Sequence, residues 1–243
     1  MKKKVVTTLT SLSFVLLFVT ATLAGKSNVK VVDAGSFGIF IGGKRVATET
    51  FKVEQGPMLS VAHSEIRVIG TPGSQLSDME LESNGDLHRY SWESRPQKAE
   101  LTIEPQDEFL VEHIVASPGS REKPRDLPHL LPHSTVILDD NFFSQREILA
   151  WRYLAAGCHT GSDGTKCNLT PMEYGVLIPN QHSATTVSME YEGMKKVTVK
   201  GEEKQLGAFR LATESGDWTL FLDENQKLVR ISIPAENTEV VRD

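Results

Sequence analysis

Apolar and polar residues alternate along much of the chain, and short polar turns separate the alternating stretches. The clearest case is the last pair of stretches, where the apolar positions on either side of a turn at 223–226 are Trp218, Leu220, Leu222, Val229, Ile231 and Ile233. A period of two places successive side chains on opposite faces of a strand, so each stretch predicts a β-strand with one buried face. We expect these apolar side chains to point inward together from a final hairpin.

The same pattern predicts three more hairpins nearer the start of the chain. Their strands are residues 37–40 with 46–53, 79–82 with 87–92, and 101–104 with 109–115, and one later strand carries Val187, Met189 and Tyr191. Gly42-Gly43 and Asn84-Gly85 are residue pairs typical of tight hairpin turns. Strands that follow one another through short turns indicate an antiparallel meander.

Residues 139–154 follow a helical period instead. The side chains that recur at steps of three and four, mostly apolar, are Phe143, Glu147, Ile148, Trp151 and Leu154. Asp139 or Asp140 could cap the first turn, and Ser144 with Glu147 has the spacing of a capping box. The chain is therefore predicted to be mainly β with one main helix.

The stretch 117–133 is rich in proline and charge. Its prolines are Pro118, Pro124, Pro128 and Pro132. Proline cannot donate a backbone hydrogen bond to a β-ladder, so we interpret this stretch as a surface excursion and not as a strand.

The beginning of the chain has the pattern of a signal peptide. Three lysines at positions 2–4 precede an apolar run at 12–23, and small residues at Thr22 and Ala24 suit cleavage after Ala24. A permanent membrane anchor is the alternative, but the run is shorter than the ~20 residues that span a bilayer. We expect residues 1–24 to be removed, no stable transmembrane anchor, and one β-rich domain over 25–243.

The net charge of the predicted mature chain limits the classes of binding partner. The predicted signal peptide holds three of the 26 basic residues and none of the 32 acidic ones, so the mature chain carries 23 basic residues against 32 acidic ones, a net charge of −9. A surface of that sign repels phosphate backbones and anionic lipids, so binding to nucleic acid is not expected.

The only cysteines, Cys158 and Cys167, flank a polar, turn-rich loop. An even cysteine count in an exported protein predicts a disulfide between them. The alternative is a metal site formed with His159, although the spacing matches no common zinc motif.

No motif of a hydrolase or of a phosphate-binding loop is present, so we expect a protein that is not an enzyme and has no cofactor. His129 and His133 are four residues apart, which could suit a metal on a helix, but Pro132 would break that helix. We interpret both as solvated loop histidines and expect no metal.

Aromatic and aliphatic side chains form a better candidate for a functional site. His88, Tyr90 and Trp92 are expected on one side of one strand, and Phe143, Ile148 and Trp151 lie on the predicted helix. These side chains either belong to the core or, if the helix covers the sheet only partly, line a cleft for an acyl chain or another apolar group. The predicted ligand-binding residues are Tyr90, Trp92, Phe143, Ile148 and Trp151.

Three stretches carry a family resemblance and together span nearly all of the predicted mature chain. They read GSFGIFIGGKRVATETF at 35–51, LDDNFF at 138–143 and WTLFLDENQKLVRI at 218–231. The chain resembles a family of exported bacterial proteins whose domain has no assigned function. The resemblance implies a curved antiparallel half-barrel wrapped around a helix, similar to the periplasmic lipoprotein-carrier fold, and it implies no catalytic residues.

These observations lead to three functional hypotheses. The first is a non-enzymatic binding or carrier protein of the cell envelope, periplasmic or secreted, with an apolar small molecule or lipid as its partner. The second is a hydrolase that uses one of the scattered histidines. The third is an assembly protein that recruits a partner strand at a sheet edge.

Overall fold

The computed structural model describes residues 29–95, 97–121, 123–161, 164–167 and 170–243. The predicted signal peptide at 1–24 lies outside these residues. The strands of the described part are β1 Lys30–Ile41, β2 Lys44–Gln55, β3 Leu59–Val68, β4 Ser74–Glu82, β5 Leu87–Arg95, β6 Ala99–Gln106, β7 Phe109–Val115, β8 Arg125–His129, β9 Val136–Ile137, β10 Cys158–Gly161, β11 Gly164–Cys167, β12 Met172–Ile178, β13 Ser183–Val199, β14 Glu202–Thr213, β15 Gly216–Leu222, β16 Leu228–Ile233 and β17 Thr238–Arg242. The helices are α1 Ser144–Gly157 and two 3₁₀ turns, Pro179–Gln181 and Pro234–Glu236.

Fifteen of these strands form one open sheet, in the order β8-β7-β6-β5-β4-β3-β2-β1-β17-β16-β15-β14-β13-β12-β9. Neighbouring strands are antiparallel except β9 and β12, which are parallel. The chain runs from the middle of the sheet to the β8 edge and passes to the opposite edge at β9. It then continues through α1 and the β10–β11 hairpin, and it returns from β12 towards the middle until β17 pairs with β1. The predictions of a mainly β fold with one main helix and of an antiparallel meander are confirmed.

The predicted hairpins are confirmed as β1–β2, β4–β5, β6–β7 and β15–β16. In the first of them Gly42 and Gly43 have φ of 58° and 78°, as a tight turn with two left-handed residues requires. Cys158 and Cys167 are bonded to each other with an S–S distance of 2.09 Å, which confirms the predicted pairing and closes the separate hairpin β10–β11.

Strands that are far apart in the sheet contact the same helix, so the sheet curves around α1. The hydroxyl of Ser64 on β3 lies 2.7 Å from the hydroxyl of Ser144. Tyr153, about two and a half turns further along the helix, packs edge-on against Phe209 of β14, with 5.8 Å between the ring centres. One apolar cluster joins the inner faces of most strands to the helix. No helix among the described residues is long and apolar enough to cross a bilayer.

The helix begins later than the sequence predicts, at Ser144, and neither predicted cap forms. Residues 139–143 form the turn that leads into it. Within that turn the Asp139 carboxylate accepts a hydrogen bond from the backbone N–H of Asn141. Glu147 accepts a hydrogen bond from the Leu228 amide instead of reaching back along the helix. Tertiary partners on the sheet therefore replace the local capping box.

The final hairpin matches its prediction except at one position. Trp218, Leu220, Leu222, Ile231 and Ile233 are buried on the inner face. A bulge makes Leu222 pair with Leu228, so Leu228 takes the inward position and Val229 turns outward. Val229 packs there against a second apolar cluster, on the outer face, that contains Phe221.

Two other expectations, for the proline-rich stretch and for His88, are wrong. Residues 125–129 of the proline-rich stretch form β8, which pairs with β7; Pro128 is accommodated because β8 is an edge strand. A bulge opposite Leu81 leaves His88 exposed, so it does not share a face with the buried Tyr90.

Candidate ligand-binding site

A carboxylate from the sheet holds the start of α1. The backbone N–H groups of Phe143 and Ser144 donate to the Glu49 carboxylate at 2.7 and 3.2 Å. Glu49 lies on β2 and has no exposed surface. Burial raises the pKa of Glu49, while the bonds from Ser144, Phe143 and Ser64 oppose that rise. A carboxyl at this position satisfies helix N–H groups that have no partner within the helix, so it fixes the helix to the inner face.

The turn before the helix is held by a buried polar network. Tyr90 donates its hydroxyl to Asp139 at 2.9 Å, and burial raises the pKa of both groups. Arg146, on the first turn of the helix, donates through Nη1 to the carbonyl oxygens of Asp139 and Phe142. These bonds hold the Arg146 guanidinium against the turn before the helix, and 3 % of its side chain is exposed.

A cleft of about 330 Å³, here called the helix cleft, opens beside this arginine. Its apolar wall consists of Leu138, Val176, Ile178, Val187 and Leu211. Its polar lining includes Arg146, Trp218, Asp140, Thr185, Thr213 and Glu214. The helix thus covers the inner face of the sheet only partly on this side.

Two N–H donors of the helix cleft have no acceptor in the described part of the chain. They are Nε of Arg146 and Nε1 of Trp218, and both atoms are buried. The guanidinium carbon lies 5.0 Å from the centre of the Trp218 ring and 5.8 Å from that of Phe143, so the cation stacks on the aromatic side chains. Buried donors without a partner are rare in folded proteins, which marks this corner as suited to an acceptor from outside the chain.

A shallower groove of about 170 Å³ runs along another side of the helix. Ile148 and Trp151 line it together with apolar residues of β2, β3 and β4, among them Val53, Ala62 and Leu81. The Trp151 indole N–H donates to the carbonyl oxygen of Gln226 at 2.7 Å, so its ring is fixed over the groove. This Trp151 groove is apolar but smaller than the helix cleft.

A third cleft, of about 410 Å³, lies between the two ends of the sheet and is called here the seam cleft. Trp92, Asp139 and His182 contribute to its lining. At its side, Glu112 of β7 is fully buried and accepts hydrogen bonds from His129 Nε2 at 3.1 Å and from His182 Nδ1 at 2.7 Å. Because β7 and the His182 turn belong to opposite ends of the sheet, this carboxylate joins the two ends through side chains.

Of the two histidines expected in a solvated loop, His133 is an exposed turn residue as predicted, and His129 is not. His129 lies on β8 with 12 % of its side chain exposed and is not a solvated loop residue. His133 bonds the carbonyl oxygen of Asp107 at 3.0 Å, so the two side chains do not converge. Within the described residues no group of three or more histidine, cysteine or acidic side chains is arranged to hold a metal ion.

The structure distributes the predicted ligand-binding residues over different places. Ile148 and Trp151 meet in the Trp151 groove, and Trp92 lines the seam cleft. Tyr90 is fully buried in the network of Asp139, and Phe143 is buried between Trp218 and the arginine. The five side chains do not surround one cavity, and their role in binding stays a prediction.

Sequence reasoning did not find Arg146, Trp218 or the buried glutamates as site residues. For Glu49 a signal was present, because the period of two places it on the inner face between Ala47 and Phe51. A charged residue at an inward strand position needs a buried partner, and here that partner is the start of the helix.

No protein-family model, curated protein or solved structure matches this chain. The family resemblance drawn from the sequence accordingly stays a prediction, and functional reasoning depends on the geometry of the clefts.

Proposed function

We propose that this chain is a non-enzymatic binding protein that holds an apolar group in the helix cleft, between α1 and the inner face of the sheet. The observation that carries the proposal is the incomplete cover of the inner face, which leaves a cleft of about 330 Å³ with an apolar wall. That volume lies within the range of small-molecule sites, which are mostly apolar with a few placed polar groups.

The disulfide supports a place outside the cytoplasm, in the periplasm or the secreted fraction. Bonded cysteines persist in oxidising compartments and are rare in reducing ones. A carrier of the cell envelope agrees with such a compartment.

Uptake of an uncharged apolar dye, N-phenyl-1-naphthylamine, by the delipidated full-length mature chain tests the proposal, because its fluorescence rises in an apolar site. The variant Thr185→Trp places a bulky ring at the rim of the helix cleft and should abolish most of the uptake. The matched control is Thr186→Trp, one residue along the same strand, where the side chain is exposed and lies outside the cleft. Equal uptake by both variants, or no uptake by the wild type, would contradict the proposal.

The seam cleft supports a second candidate, a hydrolase. His182 Nδ1 is 2.7 Å from the buried Glu112 carboxylate, an arrangement that orients an imidazole and leaves Nε2 to act as a general base. Ser117 lines the same cleft. The hydrolase candidate is favoured if the protein hydrolyses p-nitrophenyl esters and this activity is lost in His182→Gln and kept in His133→Gln. Wild-type turnover equal to that of buffer would exclude it.

Assembly through a sheet edge is less well supported. β8 is short and carries Arg125, Asp126 and Pro128, and β9 has two residues. Charge, proline and short length are the features that prevent strand addition at an edge.

A further inference from the structure

We propose that the ligand of the helix cleft ends in a carboxylate, which is bound by the Nε side of Arg146 and the indole N–H of Trp218. The inference rests on the proposed function and adds the chemical class of the ligand: an apolar chain with an anionic oxygen head, such as a fatty acid.

The Arg146 guanidinium has one nitrogen that is fully hydrogen-bonded and one edge that has no hydrogen-bond acceptor. Nη1 donates to two backbone carbonyl oxygens of the turn before the helix. Nε has no acceptor among the described residues, and Nη2 is 3.6 Å from Asp140 Oδ1, too far for a hydrogen bond. The Nε and Nη2 donors point in parallel from one edge of the guanidinium, and that pair matches the two oxygens of a carboxylate.

Asp140 meets this edge only as an ion pair, with Oδ1 3.6 Å from Nη2, and it makes no hydrogen bond to Nε. Its Oδ2 accepts hydrogen bonds from Gln181 Nε2 at 2.8 Å and Asn180 Nδ2 at 3.2 Å. Glu214, the other acidic residue of the cleft, accepts from the hydroxyl of Thr185. Glu214 is therefore engaged away from the guanidinium, and Asp140 leaves Nε without an acceptor.

Trp218, which lines the same cleft, supplies the second donor. Its side chain is 7 % exposed, it stacks under the guanidinium, and its N–H has no acceptor among the described residues. A ligand oxygen at this corner would satisfy both donors at once. A cationic ligand would satisfy neither, which is why the chemistry favours an anion although two acidic residues line the cleft.

The remainder of the cleft suits the chain of such a ligand. The apolar wall comes from β12, β13 and β14, with Val176, Val187 and Leu211 as its buried members. A chain lying along this wall loses contact with water while its head stays at the arginine.

Binding of three probes with the same alkyl chain tests the inference on the unmodified protein: dodecanoate, dodecanol and dodecylamine, each titrated by calorimetry below its micelle concentration. Hydrogen bonds to a charged partner should make dodecanoate bind about 10–100-fold more tightly than dodecanol. Dodecylamine should bind no better than the alcohol. In ¹⁵N-tryptophan-labelled protein, the indole N–H signal of Trp218 should shift with dodecanoate and not with dodecanol.

Variants distinguish binding of the ligand's carboxylate head group from binding of its alkyl chain. Trp218→Phe keeps a ring under the guanidinium and removes the N–H, so it should lower the preference for dodecanoate while dodecanol affinity is kept. Tyr191→Phe removes the polar group of an aromatic side chain on β13 that lies outside the helix cleft, and it should leave the preference unchanged. Equal affinity for acid and alcohol, with binding that Thr185→Trp still blocks, would overturn this inference and leave the proposed function standing. Absence of binding by all three probes would end both.

Discussion

Glu147 should make the stability of the fold fall as pH rises, and Glu147→Gln should remove this contribution. Its side chain is fully buried, and Oε1 accepts the Leu228 N–H at 2.9 Å. Burial, together with the negative charge of Asp33, raises the pKa of Glu147 from 4.5 to about 9, and Arg242 offsets only part of that rise.

The sign follows from proton uptake. Between pH 4.5 and about 9 the folded chain keeps a proton on Glu147 that the unfolded chain has lost. The free energy of unfolding therefore decreases as pH rises, by at most about 1.4 kcal/mol per pH unit. From pH 5 to 8 this amounts to at most about 4 kcal/mol. Glutamine keeps the acceptor for Leu228 and does not titrate, so the variant should become the more stable protein as pH increases.

Urea unfolding curves of the wild type and Glu147→Gln at several pH values measure the effect as a difference. Other buried acids, such as Glu49 and Asp139, contribute equally to both proteins and cancel. Glu224→Gln, at an exposed turn, is the control and should follow the wild type at every pH. Curves for wild type and Glu147→Gln that stay parallel from pH 5 to 8 would refute the reasoning.

Three further expectations concern the fold. Leu220→Ala should lower the free energy of unfolding by about 2–5 kcal/mol, because the side chain has no exposed surface, and Thr219→Ala, on the other face, should lower it by less than about 1 kcal/mol. Chemical denaturation measures both, and a reversed order would mean that the strand has a different register. Glu49→Ala should cost about 2–5 kcal/mol in the same assay, because two helix N–H groups lose their acceptor, and a cost near zero would show that the helix does not depend on this carboxyl. Alkylation before reduction should label neither Cys158 nor Cys167, and free labelling of both would contradict the disulfide.

Part of the binding region could be read from the sequence, and part could not. The helical period identified Ile148 and Trp151, which share one groove, whereas Trp92, expected in the same cleft, lines a different one. Arg146 escaped because a charged residue on a predicted helix usually faces water. Its burial depends on Trp218, which lies far along the chain on β15, and no local pattern connects the two.

The sequence by itself determined many of the local elements: the strands of the four predicted hairpins, most of their inward-pointing side chains, the positions of their turns, and the pairing of the two cysteines. These follow from side-chain periods and turn chemistry, which act over a few residues. Only the tertiary structure decided the order of the strands, the bulges that turn Val229 and His88 outward, and the Glu49 carboxyl at the start of the helix. Those features arise because the sheet must curve to bury one continuous inner face against a single helix, and that requirement sets contacts between residues far apart in the chain.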